Sequence, residues 1–170
     1  MKKVTLLITI AFLVISCQNN EPAVDKNVGE ILSGNNKGST YSIGSMKHAQ
    51  LALDFSTAFV NQDYDFVTEE NYLETVFFYP EKGLERLEFD LPSLIELAKS
   101  MHEPYDSITR NVYDVIPVVP SYDKNLTVVM FPFTEKRYRK DGEVETYRFL
   151  ERHYIKNGKI TGLRKYSQEE

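Results

Sequence analysis

Residues 144–160 read VETYRFLERHYIKNGKI, and the fold turns on how this stretch is read. Residues 144–156 carry no helical period and are rich in aromatic and β-branched types, so they are expected to form a strand. Along a strand, side chains alternate between faces. Tyr147, Phe149, Glu151, His153 and Ile155 therefore share one face, and Arg148, Leu150, Arg152 and Tyr154 the other. The first set holds more uncharged bulk and is taken as inward. With the parity reversed, Arg148 and Arg152 would line the interior and an anionic ligand would fit better. Asn157 and Gly158 then supply a tight hairpin turn, because both accept positive φ.

The same texture extends on both sides. Strands are expected over residues 108–119, 126–138 and 160–166, with Asp141 and Gly142 turning the chain before Val144. Upstream, Leu51, Phe55, Ala58 and Phe59 recur at helical spacing over residues 48–61, behind the small polar Ser45. A second, shorter helix is expected over 64–72, a strand over 73–79 and a short return strand over 84–89. Asp90 is placed to cap a third helix, with Pro92 in its first turn and Leu91, Leu94, Ile95, Ala98 and Met101 as its apolar stripe. Pro104 ends it. The expected class is α+β, with three helices packed on one face of a strongly curved antiparallel sheet.

This layout, with residues 59–65 (FVNQDYD) closing the first helix and residues 154–160 (YIKNGKI) forming the last hairpin, resembles the nuclear transport factor 2-like (NTF2-like) superfamily. That group includes the SnoaL-like polyketide cyclases and the ketosteroid isomerases. The resemblance covers residues 45–167 and implies a cone-like half-barrel whose mouth accepts small apolar molecules. It also sets a chemical test. Isomerase chemistry needs a carboxylate base and hydrogen-bond donors for an oxyanion. The family's donor tyrosine aligns with Phe55, which has no hydroxyl. The base aspartate aligns with Tyr79 and Pro80, and Glu81, one residue on, would face the other way in a hairpin. Only the oxyanion acid finds a match, at Glu151. Isomerase activity is therefore not expected.

The amino terminus reads as an address. Lys2 and Lys3 precede an apolar run over residues 4–15, shorter than the roughly 20 residues of a membrane span. It ends in Val14, Ile15, Ser16 and Cys17, the only cysteine of the chain, and resembles the lipobox of bacterial lipoproteins. The resemblance implies a signal peptide over 1–16, removed on maturation, a diacylglycerol on the Cys17 thiol, and residence in the cell envelope at the outer membrane, since Gln18 and not Asp follows the cysteine. Residues 17–44, rich in Asn, Gly and Ser, are expected to be a flexible stalk, with a strand over 28–32 as the alternative. Residues 45–170 would form the domain.

Composition narrows the chemistry. Twenty Lys and Arg against 25 Asp and Glu give a net charge of −5, which offers nucleic acid no basic surface. A single Cys excludes an internal disulfide, and the three His fall on separate elements, so no metal site and no cofactor are expected. Lys136, Arg137, Arg139 and Lys140, flanked by acids, read as a solvated hairpin. The expected ligand-binding residues are Phe55 and Phe59 on the first helix and Tyr79, Tyr113, Phe131 and Tyr147 on the strands, with Glu151 and His153 as an anchoring pair. The same two residues are the weak candidates for acid–base catalysis. The expected function is that of a lipid-anchored envelope protein binding a small apolar or amphipathic molecule without catalysis. The alternatives are a homodimerising or protein-docking module and, last, a cyclase- or dehydratase-type enzyme.

Overall fold

The computed structural model of the chain describes residues 27–81 and 85–169. The signal, Cys17 and Leu84 lie outside the described residues.

Among the described residues, nine strands form one sheet in the order β1-β2-β6-β7-β8-β9-β3-β4, with β5 also on β7. The spine is β7 (Leu126–Arg139), β8 (Val144–Lys156) and β9 (Lys159–Glu169), consecutive and antiparallel. The free edge of β7 is shared. β6 (Ile116–Pro120) pairs with its first half and β5 (Tyr105–Val112) with its second. The single strand expected over 108–119 is thus two, broken at residues 113–115, where the Tyr113 amide still reaches the Pro132 carbonyl at 3.1 Å. A break of this kind lets one edge bend around the curved sheet.

Among the described residues, two α-helices cover one face. In α1 (Met46–Val60) the Ser45 side chain accepts from the Lys47 amide, and Ala49, Ala52, Ser56 and Ala58 are buried. These small residues let α1 lie close against β5, β6 and β7. In α2 (Leu91–His102) the Asp90 carboxylate accepts from the Ser93 amide at 2.9 Å, and the helix packs on β3, β4 and β5.

Three expectations need correction. The second helix is only a 3-10 turn, Tyr64–Phe66, because Asn71 turns its side chain to the Phe66 carbonyl and the chain must already be extended when β3 (Tyr72–Tyr79) begins. The sheet is not wholly antiparallel. β3 forms a hairpin with β4 (Leu87–Asp90), but its other edge runs parallel to β9. From residue 27 on, the expected stalk is structured: β1 (Asn27–Glu30) and β2 (Thr40–Ile43) form an antiparallel ribbon, and β2 pairs with β6. A polar composition sufficed there because backbone pairing to an existing sheet edge replaces apolar burial. All four residues of β1 are exposed.

Candidate functional site

Between the two helices and the sheet lies a cavity of about 70 Å³, several times the roughly 10–15 Å³ that one water requires. Its walls are almost wholly apolar. Phe55 and Phe59 come from α1, Leu94, Leu97, Ala98 and Met101 from α2, and Val76, Ile160 and Leu163 from the strands. Its polar lining consists of Tyr72, Arg110, Glu151, His153 and Lys165.

The alternation on β8 places these groups. Phe149, Glu151, His153 and Ile155 are buried, while Arg148 and Leu150 are exposed, so the inward face is the one with the uncharged bulk. The same alternation on β7 carries Val129, Phe131 and Phe133 inward and continues to Glu135 and Arg137. Glu135 and Arg137 are therefore interior residues rather than part of a solvated hairpin. Glu135 is fully buried and bridges two guanidinium groups, Arg110 Nε and Arg137 Nε, each at 2.6 Å. Arg110 lies between rings, 4.8 Å from the centre of Phe59 and 4.5 Å from that of Phe133, and donates to Ser56 Oγ at 3.0 Å.

Lys165 enters through an irregularity. Tyr154 pairs with Gly162 but Ile155 pairs with Ile160, so Thr161 is an extra residue that switches the parity of β9. Leu163 and Lys165 then face the helices. The Lys165 ammonium lies 3.6 Å from Glu81, 3.8 Å from Glu151 and 3.9 Å from Glu135, and 3.8 Å over the Phe149 ring. Burial lowers its pKa by more than the Glu135 and Glu151 carboxylates restore. Glu81 is partly exposed and also lies 3.5 Å from Arg137.

Burial alone would raise the Glu151 pKa. Arg110 at 3.7 Å, the hydrogen bond from His153 and the Lys165 charge reverse that and lower it to about 2. An ionised carboxylate can only accept, so His153 Nε2, 2.8 Å away, carries the hydrogen. In the neutral ring Nδ1 is then a bare acceptor. It has no partner among the described residues, and neither has the Tyr72 hydroxyl. Both side chains are essentially inaccessible to solvent and pack edge-on against Phe55, with ring centres 5.2 and 6.2 Å away. Desolvation raises the Tyr72 pKa, which keeps the hydroxyl protonated and able to donate.

Of the expected ligand-binding residues, Phe55, Phe59, Glu151 and His153 line the cavity. The other four do not. Phe131 is core, stacked on the His153 ring at 4.9 Å. Tyr147 packs under Arg137, its hydroxyl donating to Glu145 at 3.3 Å. Tyr79 lies beneath the Arg164 guanidinium at 3.9 Å, and Tyr113 is exposed on the outer face, bonded to Thr134. A residue's type cannot tell lining from core or rim. Among the residues missed, Glu135 and Arg137 were available from β7 parity, and Arg110 from the alternation Ile108, Arg110, Val112. Lys165 carried no such signal.

No protein-family model and no curated protein sequence matches the chain. Solved structures do. An NTF2-like protein from Anabaena variabilis is 14% identical with a TM-score of 0.57, over 75% of this chain and 94% of that one. An LEH-like epoxide hydrolase from M. tuberculosis is 14% identical with a TM-score of 0.56, over 73% and 84%. A protein described as a candidate polyketide cyclase from Acidithiobacillus ferrooxidans is 14% identical with a TM-score of 0.55, over 75% and 91%. Over about three quarters of its length the chain has an NTF2-like fold, a curved sheet closed by helices around an interior cavity. At this identity the likeness is one of fold.

Proposed function

We propose that this domain binds a small, mainly apolar molecule bearing one polar group, and that it does so as a lipid-anchored protein of the cell envelope. The observation that carries the binding reading is the pair of unpartnered polar atoms, His153 Nδ1 and the Tyr72 hydroxyl, on side chains that line a mainly apolar cavity. A buried polar atom without a partner is costly. A ligand hydroxyl that donates to Nδ1 or accepts from Tyr72 removes such a cost, while Leu94, Leu97 and Met101 enclose its apolar part. A cavity of this kind supports binding over the docking alternative.

The anchor rests on the residues preceding β1. With lipid on Cys17, only residues 18–26 separate it from Asn27, a reach of roughly 35 Å fully extended. The domain then stands close to the bilayer surface, where apolar molecules partition.

A second reading has one observation in its favour. An imidazole whose Nε2 is held by a carboxylate and whose ring lines a mainly apolar cavity is also arranged as a general base. The structural neighbours named as an epoxide hydrolase and a polyketide cyclase lend it only their fold.

The test is native mass spectrometry of the full chain, extracted in detergent from its own cells, before and after denaturation. A bound molecule released unchanged, and absent from a Leu97→Trp variant that fills the cavity, is the expected result. A released molecule that the protein converts during incubation supports the catalytic reading. An empty cavity in protein that also fails to take up long-chain alcohols overturns both. For the anchor, metabolic labelling with palmitate is expected in the native chain and not in Cys17→Ala.

A further inference from the structure

The outer face of the sheet carries a second polar feature, away from the cavity. Arg152 on β8 and Arg164 on β9 are direct cross-strand partners. Both point away from the helices, because Glu151, His153, Leu163 and Lys165 on either side of them point toward the cavity. Like charges in facing positions repel. Among the described residues neither guanidinium has a carboxylate partner, and the buried Nε atom of each has no hydrogen-bond partner. The carboxylate of the adjoining loop, Asp123, is taken by Lys156 at 3.1 Å.

Tyrosines surround the pair instead. Arg164 sits 3.9 Å over the Tyr79 ring, and its Nη1 donates to the Tyr166 hydroxyl at 3.4 Å. Arg152 lies 5.8 Å from the centre of the Tyr154 ring and beside Tyr41. Such rings orient a guanidinium plane without neutralising it. Tyr166 is 43% exposed, so the rim opens to solvent.

We propose that Arg152 and Arg164, rimmed by Tyr41, Tyr79, Tyr154 and Tyr166, form an anion site for a phosphoryl group. Arginine is always ionised, so two fixed positive charges stand side by side awaiting a counter-charge. The chemistry favours a phosphoryl group over a carboxylate. A carboxylate has only two oxygens to share between two guanidinium forks and the tyrosine hydroxyls, whereas a phosphate presents enough oxygens for all of them together.

The test is titration of the full chain with inorganic phosphate, followed by tyrosine fluorescence, which no Trp obscures in this chain. A saturable response is expected. It should weaken at least tenfold in Arg152→Gln/Arg164→Gln and persist in the charge-matched control Lys136→Gln/Lys140→Gln. Two further arms identify the source of the group. Arg-dependent binding of phenyl phosphate supports a soluble ligand. Arg-dependent binding to phosphatidylcholine vesicles containing phosphatidylglycerol, without competition from phenyl phosphate, supports a lipid headgroup. A wild-type chain indifferent to all three probes overturns the site, as does a double Gln variant that binds as wild type. Should the Gln variant not fold, Arg152→Lys/Arg164→Lys keeps the charge and removes the forks. A loss of several-fold is then expected, and undiminished affinity overturns the site.

Discussion

His153 gives its Nε2 hydrogen to the Glu151 carboxylate two residues back on the same strand, at 2.8 Å, and Nδ1 on the other side of the ring is left without a partner among the described residues. The direction of the bond follows from the ionisation of Glu151, which in turn follows from Arg110 and Lys165 beside it. The polar character of the cavity is therefore governed by charges behind its wall as well as by the atoms that line it.

Acid should unfold this domain through Glu151. Its folded pKa is lowered from 4.5 to about 2, so the unfolded chain binds the proton more readily. The stability it contributes is complete above the unfolded value and is lost as pH falls from about 4.5 toward 2. Glu135, also lowered, adds in the same direction. Urea midpoints should fall steeply as pH drops below about 4.5, and Glu151→Gln should flatten that part of the fall. A midpoint insensitive to pH across the acid range contradicts the assignment.

Glu135→Gln should be among the most damaging single changes. It strips a fully buried carboxylate from Arg110 and Arg137, both held at 2.6 Å. Breaking a buried pair on one side costs about 3–5 kcal/mol. The exposed neighbour Lys136→Gln should change stability by less than about 0.5 kcal/mol. Equilibrium denaturation of the two variants side by side checks the contrast.

Gly162→Ala should destabilise through Phe77. A Cβ at Gly162 would stand 2.4 Å from the Phe77 ring, which crosses over β9 at this point to reach Tyr154 at 5.1 Å. Overpacking of this kind costs about 1–3 kcal/mol. In a double-mutant cycle the penalty should shrink when Phe77 is Leu. Equal penalties in both backgrounds would show that the ring is not the obstacle.

Tyr72→Phe should separate stability from binding. The hydroxyl is buried without a partner, and removing it relieves about 1–3 kcal/mol of desolvation in the ligand-free protein. Melting temperature without ligand should rise. Affinity for the molecule recovered from the native protein should fall. A variant that binds as tightly as wild type would remove Tyr72 from the site.

Much of this architecture was legible in local pattern. Ser45 and Asp90 mark the helix starts because a capping oxygen must precede the first free amides, and Asn157 and Gly158 mark the last turn, where both residues take positive φ. The period of two on β8 placed Glu151 and His153 inward. The alternative strand over 28–32 is met in part by β1, but the pairing of β2 with β6 was not legible, because it depends on a partner strand more than seventy residues away. The parallel seam between β3 and β9 was equally hidden, since no local signal states which edge a distant strand will meet.

The chain alone therefore determined the helix caps, the hairpin turns, the inward face of β8 and the carboxyl–imidazole pair on it, because each depends on residues within a few positions of one another. Tertiary structure decided that Lys165 faces the cavity, that Arg110 bridges Glu135 and Glu151, and that Arg152 and Arg164 meet on the outer surface. The reason lies in register. One extra residue at Thr161 reverses every later side chain on β9, and a shift of that kind is set by how whole strands fit together around a common core.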